Sequence, residues 1–193
     1  CIDTILNGGG RWELRDSATL NDIPHFLNWT EGLVESVGMQ DTCFMRFKGK
    51  SNFDNYGKLY ARKTTFEGRS RDFSMCWNGI FSVDDTAVIA LDSCYIRDIR
   101  VIPDSGGSAI HIYESASADN IVQRTVIERP DTSAEFIGDG IFVQGNEVTS
   151  KLKVRCCEIR EKWWAGISTA SSWLDMSSTR IFGNQYGAGF TLS

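Results

Sequence analysis

Two cysteines, Cys156 and Cys157, stand side by side in the stretch VRCCEIREKWWAGIS (154–168), followed six residues later by the pair Trp163–Trp164. Adjacent thiols are candidates for redox or metal chemistry, and paired indoles for stacking on a ring-shaped ligand. Elsewhere His111 and Tyr113 alternate along SAIHIYE, with Glu114 next to them. Asp84 and Asp85 follow Val83 in FSVDD, and Asp139 precedes GIFVQ. His, Asp and Glu in a cleft are the usual general acids and bases of glycoside chemistry. The trio Asp84, His111 and Glu114 is therefore the candidate catalytic set. Asp84 with Asp85 and Glu114 is also the carboxylate group best suited to calcium. Phe81, Tyr113, Phe142 and Gln144 are the candidate substrate-binding residues. Trp163 joins them as a sugar-stacking candidate, one ring of the Trp pair being expected to pack over the core and the other to face out.

These residues need a framework, and composition narrows it. The 193 residues suit one domain, with 41% hydrophobic residues for a core and 23% charged residues for a surface. The net charge of −5 and the lack of any Lys/Arg block argue against a nucleic-acid partner. No apolar run reaches the roughly 18 residues of a membrane span. Eighteen glycines stand against 3 prolines, and short apolar pieces alternate with Gly, Asn, Asp and Ser, which predicts many short strands.

The strands recur. LYARKTTF (59–66), IALDSCYI (89–96), NIVQRTVI (120–127), LKVRCCEI (152–159) and LDMSSTRI (174–181) share one template. Its small position holds Thr64, Cys94, Thr125, Cys157 and Thr179. Its last position holds Phe66, Ile96, Ile127, Ile159 and Ile181, at steps of 30, 31, 32 and 22 residues. A second landmark follows each: NGIFS, SAIHI, DGIFV, AGISTA and AGFTL. The interval from the first to the second is 14 residues in three repeats and shortens to 8 at Ile159–Ile167 and 9 at Ile181–Phe190. A period of 22–32 residues carrying two or three strands predicts a coil that stacks on itself.

Repeats such as STRIFGNQYGAGFTLS (178–193) resemble the rungs of right-handed parallel β-helix proteins, the pectate-lyase-like superfamily, over roughly residues 55–193. The resemblance implies an all-β right-handed parallel β-helix and, from its members' habits, an extracellular or cell- or virion-surface protein that acts on or binds polysaccharide or cell-surface glycan along one sheet. The Asp-rich and Arg motifs of pectate lyases and the His- and Lys-bearing partners of polygalacturonases are not recognisable here. Two readings therefore stand: a lyase, glycoside hydrolase or epimerase, or a binding module of tailspike or adhesin type. The alternative to both is a non-catalytic structural or protein-binding scaffold segment of a longer fibre or oligomer.

Stacking also predicts contacts. Glu67, Arg97, Glu128 and Arg160 form an outward column of alternating charge; Arg62, Asp92, Gln123, Arg155 and Ser177 form another without like-charged neighbours. Both are expected to set register. Cys157 should face the core and Cys156 the opposite side. Cys94, two turns from Cys157 at about 10 Å, lies beyond the roughly 7 Å reach of a disulfide. No Cys-x-x-Cys spacing supports zinc, so no metal site is expected from the cysteines. A disulfide among Cys1, Cys43 and Cys76 is left open. Residues 1–54 are expected to form an N-terminal cap and irregular first turns, with NDIPHFLNW (21–29) a short capping helix, and residues 55–193 the regular coil. The chain begins at Cys1, not Met, and ends at Ser193 in mid-pattern, which suggests a longer parent chain or cover by another subunit.

Overall fold

A computed structural model describes residues 4–23, 25–47, 51–68, 77–97, 108–128, 138–161 and 163–191. Among them there is no helix. Successive strands go to a first, a second and a third sheet in turn, and then back to the first. Ile5–Asn7, Arg11–Arg15 and Thr19–Ile23 make the first turn, and Phe26–Asn28, Leu33–Val37 and Cys43–Phe47 the second. The sheets hold eight, seven and seven strands, each paired in parallel with the strand one turn away. This is a stacked, all-parallel architecture, compatible with a parallel β-helix solenoid.

The predicted register holds. In the third sheet Phe66 lies beside Ile96, Ile96 beside Ile127, Ile127 beside Ile159 and Ile159 beside Ile181. Four of these five are fully buried. The small column also forms one internal file. The Cys94 N–H donates to the Thr125 hydroxyl at 3.3 Å and the Cys157 N–H to that of Thr179 at 3.4 Å, while the Thr64 hydroxyl meets Ser36 at 2.8 Å. A small hydroxyl at this position satisfies an amide that the adjoining corner leaves unpaired. The Cys94 and Cys157 thiols point at the carbonyls of Ala61 and Val122.

The residue just before the small column turns the corner between the second and third sheets. Lys63, Ser93, Arg124, Cys156 and Ser178 all have φ between 47 and 54°. So the cysteine pair divides: Cys156 is an exposed corner residue, and Cys157 is core. Burial raises the Cys157 thiol above its ordinary pKa, which keeps it protonated and inert. Cys43 is also buried and free; Cys1 and Cys76 lie outside the described residues.

The capping helix is not there. The described residues of 21–29 include the end of the strand Thr19–Ile23 and the strand Phe26–Asn28, which belong to different sheets. Two internal contacts select the extended form. Phe26 stacks on Phe53 one turn away, with ring centroids 4.7 Å apart and planes 3° apart. Asn28 enters a buried amide ladder: the Asn7 side chain donates to Asn28 at 2.9 Å, Asn28 to Asn55 at 2.7 Å, and Asn55 to the Ser82 hydroxyl at 3.1 Å. The ladder amides also satisfy backbone carbonyls at the next corner, Asn28 reaching Gly32 and Asn55 reaching Val88. Ile23 and Phe26, which matched a helical face, are both inward residues of different sheets.

Two outcomes check the register. Cys156→Ser should change stability by less than about 0.5 kcal/mol, whereas Cys157→Arg should abolish the folded far-UV and thermal signatures; equal tolerance would contradict the assignment. Asn28→Ala should cost about 1–3 kcal/mol in denaturant unfolding, because Asn7 Nδ2 and Asn55 Oδ1 each lose a buried hydrogen bond to the Asn28 amide.

Candidate functional site

The outer face of the first sheet gathers most of the candidate residues. In-register pairing puts Leu6, Leu27, Asp54, Phe81, His111, Phe142 and Ser168 in one outward file. A second file, two residues further along each strand, runs through Val83, Tyr113, Gln144 and Ala170. Trp29 and Tyr56, which follow Asn28 and Asn55, extend it backward. Alternation explains the grouping: Ile80, Ile110 and Ile141 face the core, so their successors face out. Of the candidates, the structure thus brings Phe81, His111, Tyr113, Phe142 and Gln144 together.

Ring contacts tie the aromatic residues of this face into two groups. His111 lies 5.6 Å from Phe81, 4.9 Å from Phe142 and 6.1 Å from Tyr113, and Trp29 lies 5.3 Å from Tyr56. All are half-buried except Trp29, which is exposed. Desolvation between the two phenyl rings pushes the His111 imidazole down to about 4, against a hydrogen bond with Gln144 that favours the charged form. Its Nε2 is buried without a partner. At neutral pH His111 is an uncharged ring.

Asp84 and Glu114 sit elsewhere, at the corners leading from the first sheet to the second, with φ of 107 and 52°. Asp84 accepts from the Thr86 N–H and hydroxyl, each at 3.1 Å, and the backbone bond foremost holds its carboxyl below the usual range. Asp85 is raised, chiefly by its hydrogen bond to Asp84. Glu114 accepts the Glu147 N–H at 3.2 Å. These carboxylates shape the corners. Asp139 is raised by burial and bonded to Ser168. Among the described residues no group of three or more His, Cys, Asp or Glu converges to hold a metal ion.

Trp163 departs from its expected role. It is 0% exposed and packs into the core at the shortened turn, whereas Trp164 is 49% exposed and contacts Tyr186 edge-on at 5.2 Å. Trp163 presents no face to a ligand, and the outward ring of the pair is Trp164.

Three features escaped the sequence. His25 Nε2 meets Asp54 Oδ2 at 2.8 Å on the same face as Phe81. Trp29 and Tyr56 start the aromatic track. Lys151, Lys153 and Trp173 line a cleft on the second sheet. His25 and Trp29 lie in the stretch hidden by the helical reading of residues 21–29; in–out alternation from Phe26 and Phe53 would have exposed them together with Asp54 and Tyr56. The third depends on the one-turn match of Lys151 with Trp173, which stand one residue before the template fragments and carry no repeated residue type.

Comparison with family models, with curated proteins and with solved structures finds no match.

The His111 environment makes a pH prediction. Its folded pKa lies below the unfolded value near 6.5, so the unfolded chain binds more protons between about pH 4 and 6.5. The stabilisation is complete above that window and is lost as pH falls through it, by at most roughly 3 kcal/mol. His111→Gln should flatten this part of the stability–pH curve relative to the parent protein; identical curves would show a solvated His111.

Proposed function

We propose that the chain is a right-handed parallel β-helix of pectate-lyase-like type that binds polysaccharide along the outer face of its first sheet and does no chemistry on it. The right hand follows from the strong bias of parallel crossover connections. One observation carries the binding reading: an outward aromatic track spanning five consecutive turns, from Trp29 and Tyr56 through Phe81, His111 and Tyr113 to Phe142. Strands about 4.8 Å apart repeat ring faces along a line, which suits a linear chain of sugar rings. A neutral His111 adds no charge to the track, Asp54 in the same file is bonded to His25, and Gln144 and Tyr113 supply hydrogen-bonding groups at its rim.

Binding without turnover is favoured by the use of the candidate acids. Asp84 and Glu114 hold corners, and burial lowers the His111 imidazole so that it is uncharged at neutral pH and not poised as a general acid. A polysaccharide ligand would suit a protein that acts outside a cell or on a virion surface. A second reading, docking of another protein, is favoured by exposed Leu6 beside Leu27 and Trp29, which prolong the track as an apolar patch.

The test is a panel of neutral and acidic polysaccharides, read for binding and for reducing or unsaturated ends. We expect binding without product, and a loss of roughly tenfold, about 1.4 kcal/mol, for each of Trp29→Ala and Tyr113→Ala at unchanged melting temperature. Product release would overturn the non-catalytic reading. Undiminished binding by both variants would move the ligand off this face, and failure of every glycan would favour the protein-docking reading.

A further inference from the structure

A cleft of about 540 Å³ opens on the outer face of the second sheet, away from the aromatic track, lined by Ala118, Thr149, Lys151, Lys153 and Trp173. Its size lies within the range of small-ligand sites. Strand register builds it. Lys151 pairs with Trp173 and Lys153 with Asp175 across adjacent strands, while Leu152 and Val154 between them are buried. Both lysine stems and the indole therefore leave the same side of the sheet. Trp173 is 46% exposed.

Charge around the cleft runs against the rest of the chain. Arg155 grips both oxygens of Asp175, one at 2.7 Å, so the carboxylate paired with Lys153 across the strands is already engaged. Lys153 gives one of its three donors to the Ala118 carbonyl at 2.8 Å, which fixes its ammonium at the rim and leaves two for a ligand. Asp119, next to Ala118, is exposed and does not line the cleft. A protein of net charge −5 repels polyanions in general; here it presents two ammonium groups beside an open indole face.

We propose that this cleft is a binding site for an anionic sugar ring, its carbon face stacked on Trp173 and its carboxylate or sulfate held by Lys151 and Lys153. The site takes up the saccharide reading above but stands on a different face and on different residues. It makes the protein selective for charged glycans even where the first-sheet track is indifferent to charge.

The experiment is calorimetric titration of the full chain with four probes: a uronic-acid trisaccharide, a sulfated neutral trisaccharide, the carboxyl-reduced form of the first, and AMP. An anionic sugar should bind at least tenfold more tightly than the reduced form and weaken with added salt; whichever anionic sugar binds tighter names the group recognised. Trp173→Ala and the double change Lys151→Met/Lys153→Met should each weaken it at least tenfold, and Lys58→Met, three turns away on the same sheet, should leave it unaltered, while Trp29→Ala reads the first-sheet track separately. Methionine keeps the apolar stem, so the double variant reads charge even if Trp173→Ala unfolds. Equal affinity for the reduced sugar, tighter binding of AMP, or parental affinity in the double variant would overturn the proposal. Loss of binding on Trp29→Ala with none on the lysine variant would overturn it while leaving the first-sheet reading intact.

Discussion

Each turn of the chain lies directly over the one before it, and every other feature depends on that alignment. Parallel pairing alone permits slippage, because backbone hydrogen bonds are blind to side chains. A slip of one residue would turn Ile96 and Ile127 out to solvent and bring Arg97 and Glu128 into the core. The internal files of Phe and Ile oppose such a slip through buried area, at about 25 cal/mol per Å² of apolar surface. Polar files oppose it through geometry.

Those polar files carry the specificity. On the third sheet Arg46 and Arg97 both bond Glu67, and Arg160 bonds Glu128 through two nitrogens at 2.8 and 3.0 Å. Glu67 is only 6% exposed. Burial alone would raise its carboxyl, but hydrogen bonds from the two guanidinium groups outweigh that and hold it below its ordinary value. Removing one partner from such an arrangement is far more damaging than never having had the pair. The Asn7–Asn28–Asn55–Ser82 ladder does the same inside the core, then gives way to Ile112 and Val143. The early turns are thus pinned by amides and the later ones by aliphatic packing.

The coil was legible from Thr64 onward because its small and large columns recur with matching intervals. The columns Glu67/Arg97/Glu128/Arg160 and Arg62/Asp92/Gln123/Arg155 could be written down from those intervals; Glu67 with Arg97, Glu128 with Arg160 and every step of the second column lie in register as written. The first turns were not legible. Ile23, Phe26 and Leu27 have helical spacing, and nothing local reveals that Phe26 has a ring one turn above it or that Asn28 has amides on both sides. Long-range stacking overrides local periodicity there. The outward aromatic face followed from alternation, except for Trp29, which that same misreading concealed, and its neighbour Tyr56, which follows no repeated landmark. Which indole of Trp163–Trp164 faces inward depends on how a turn of 22 residues closes, and the residue types on either side do not encode it.

The exposed corner file offers the most direct test of alignment. Arg124 and Cys156 occupy the same corner position one turn apart, and Ser93 occupies it one turn further away. Arg124→Cys therefore puts a second thiol about 4.8 Å from Cys156 between backbones, within disulfide reach, whereas Ser93→Cys puts it at about 10 Å, outside. Peptide mapping after mild oxidation should find a 124–156 cross-link in the first variant and no 93–156 cross-link in the second. Equal linkage in both, or none in the first, would contradict the stacking of turns.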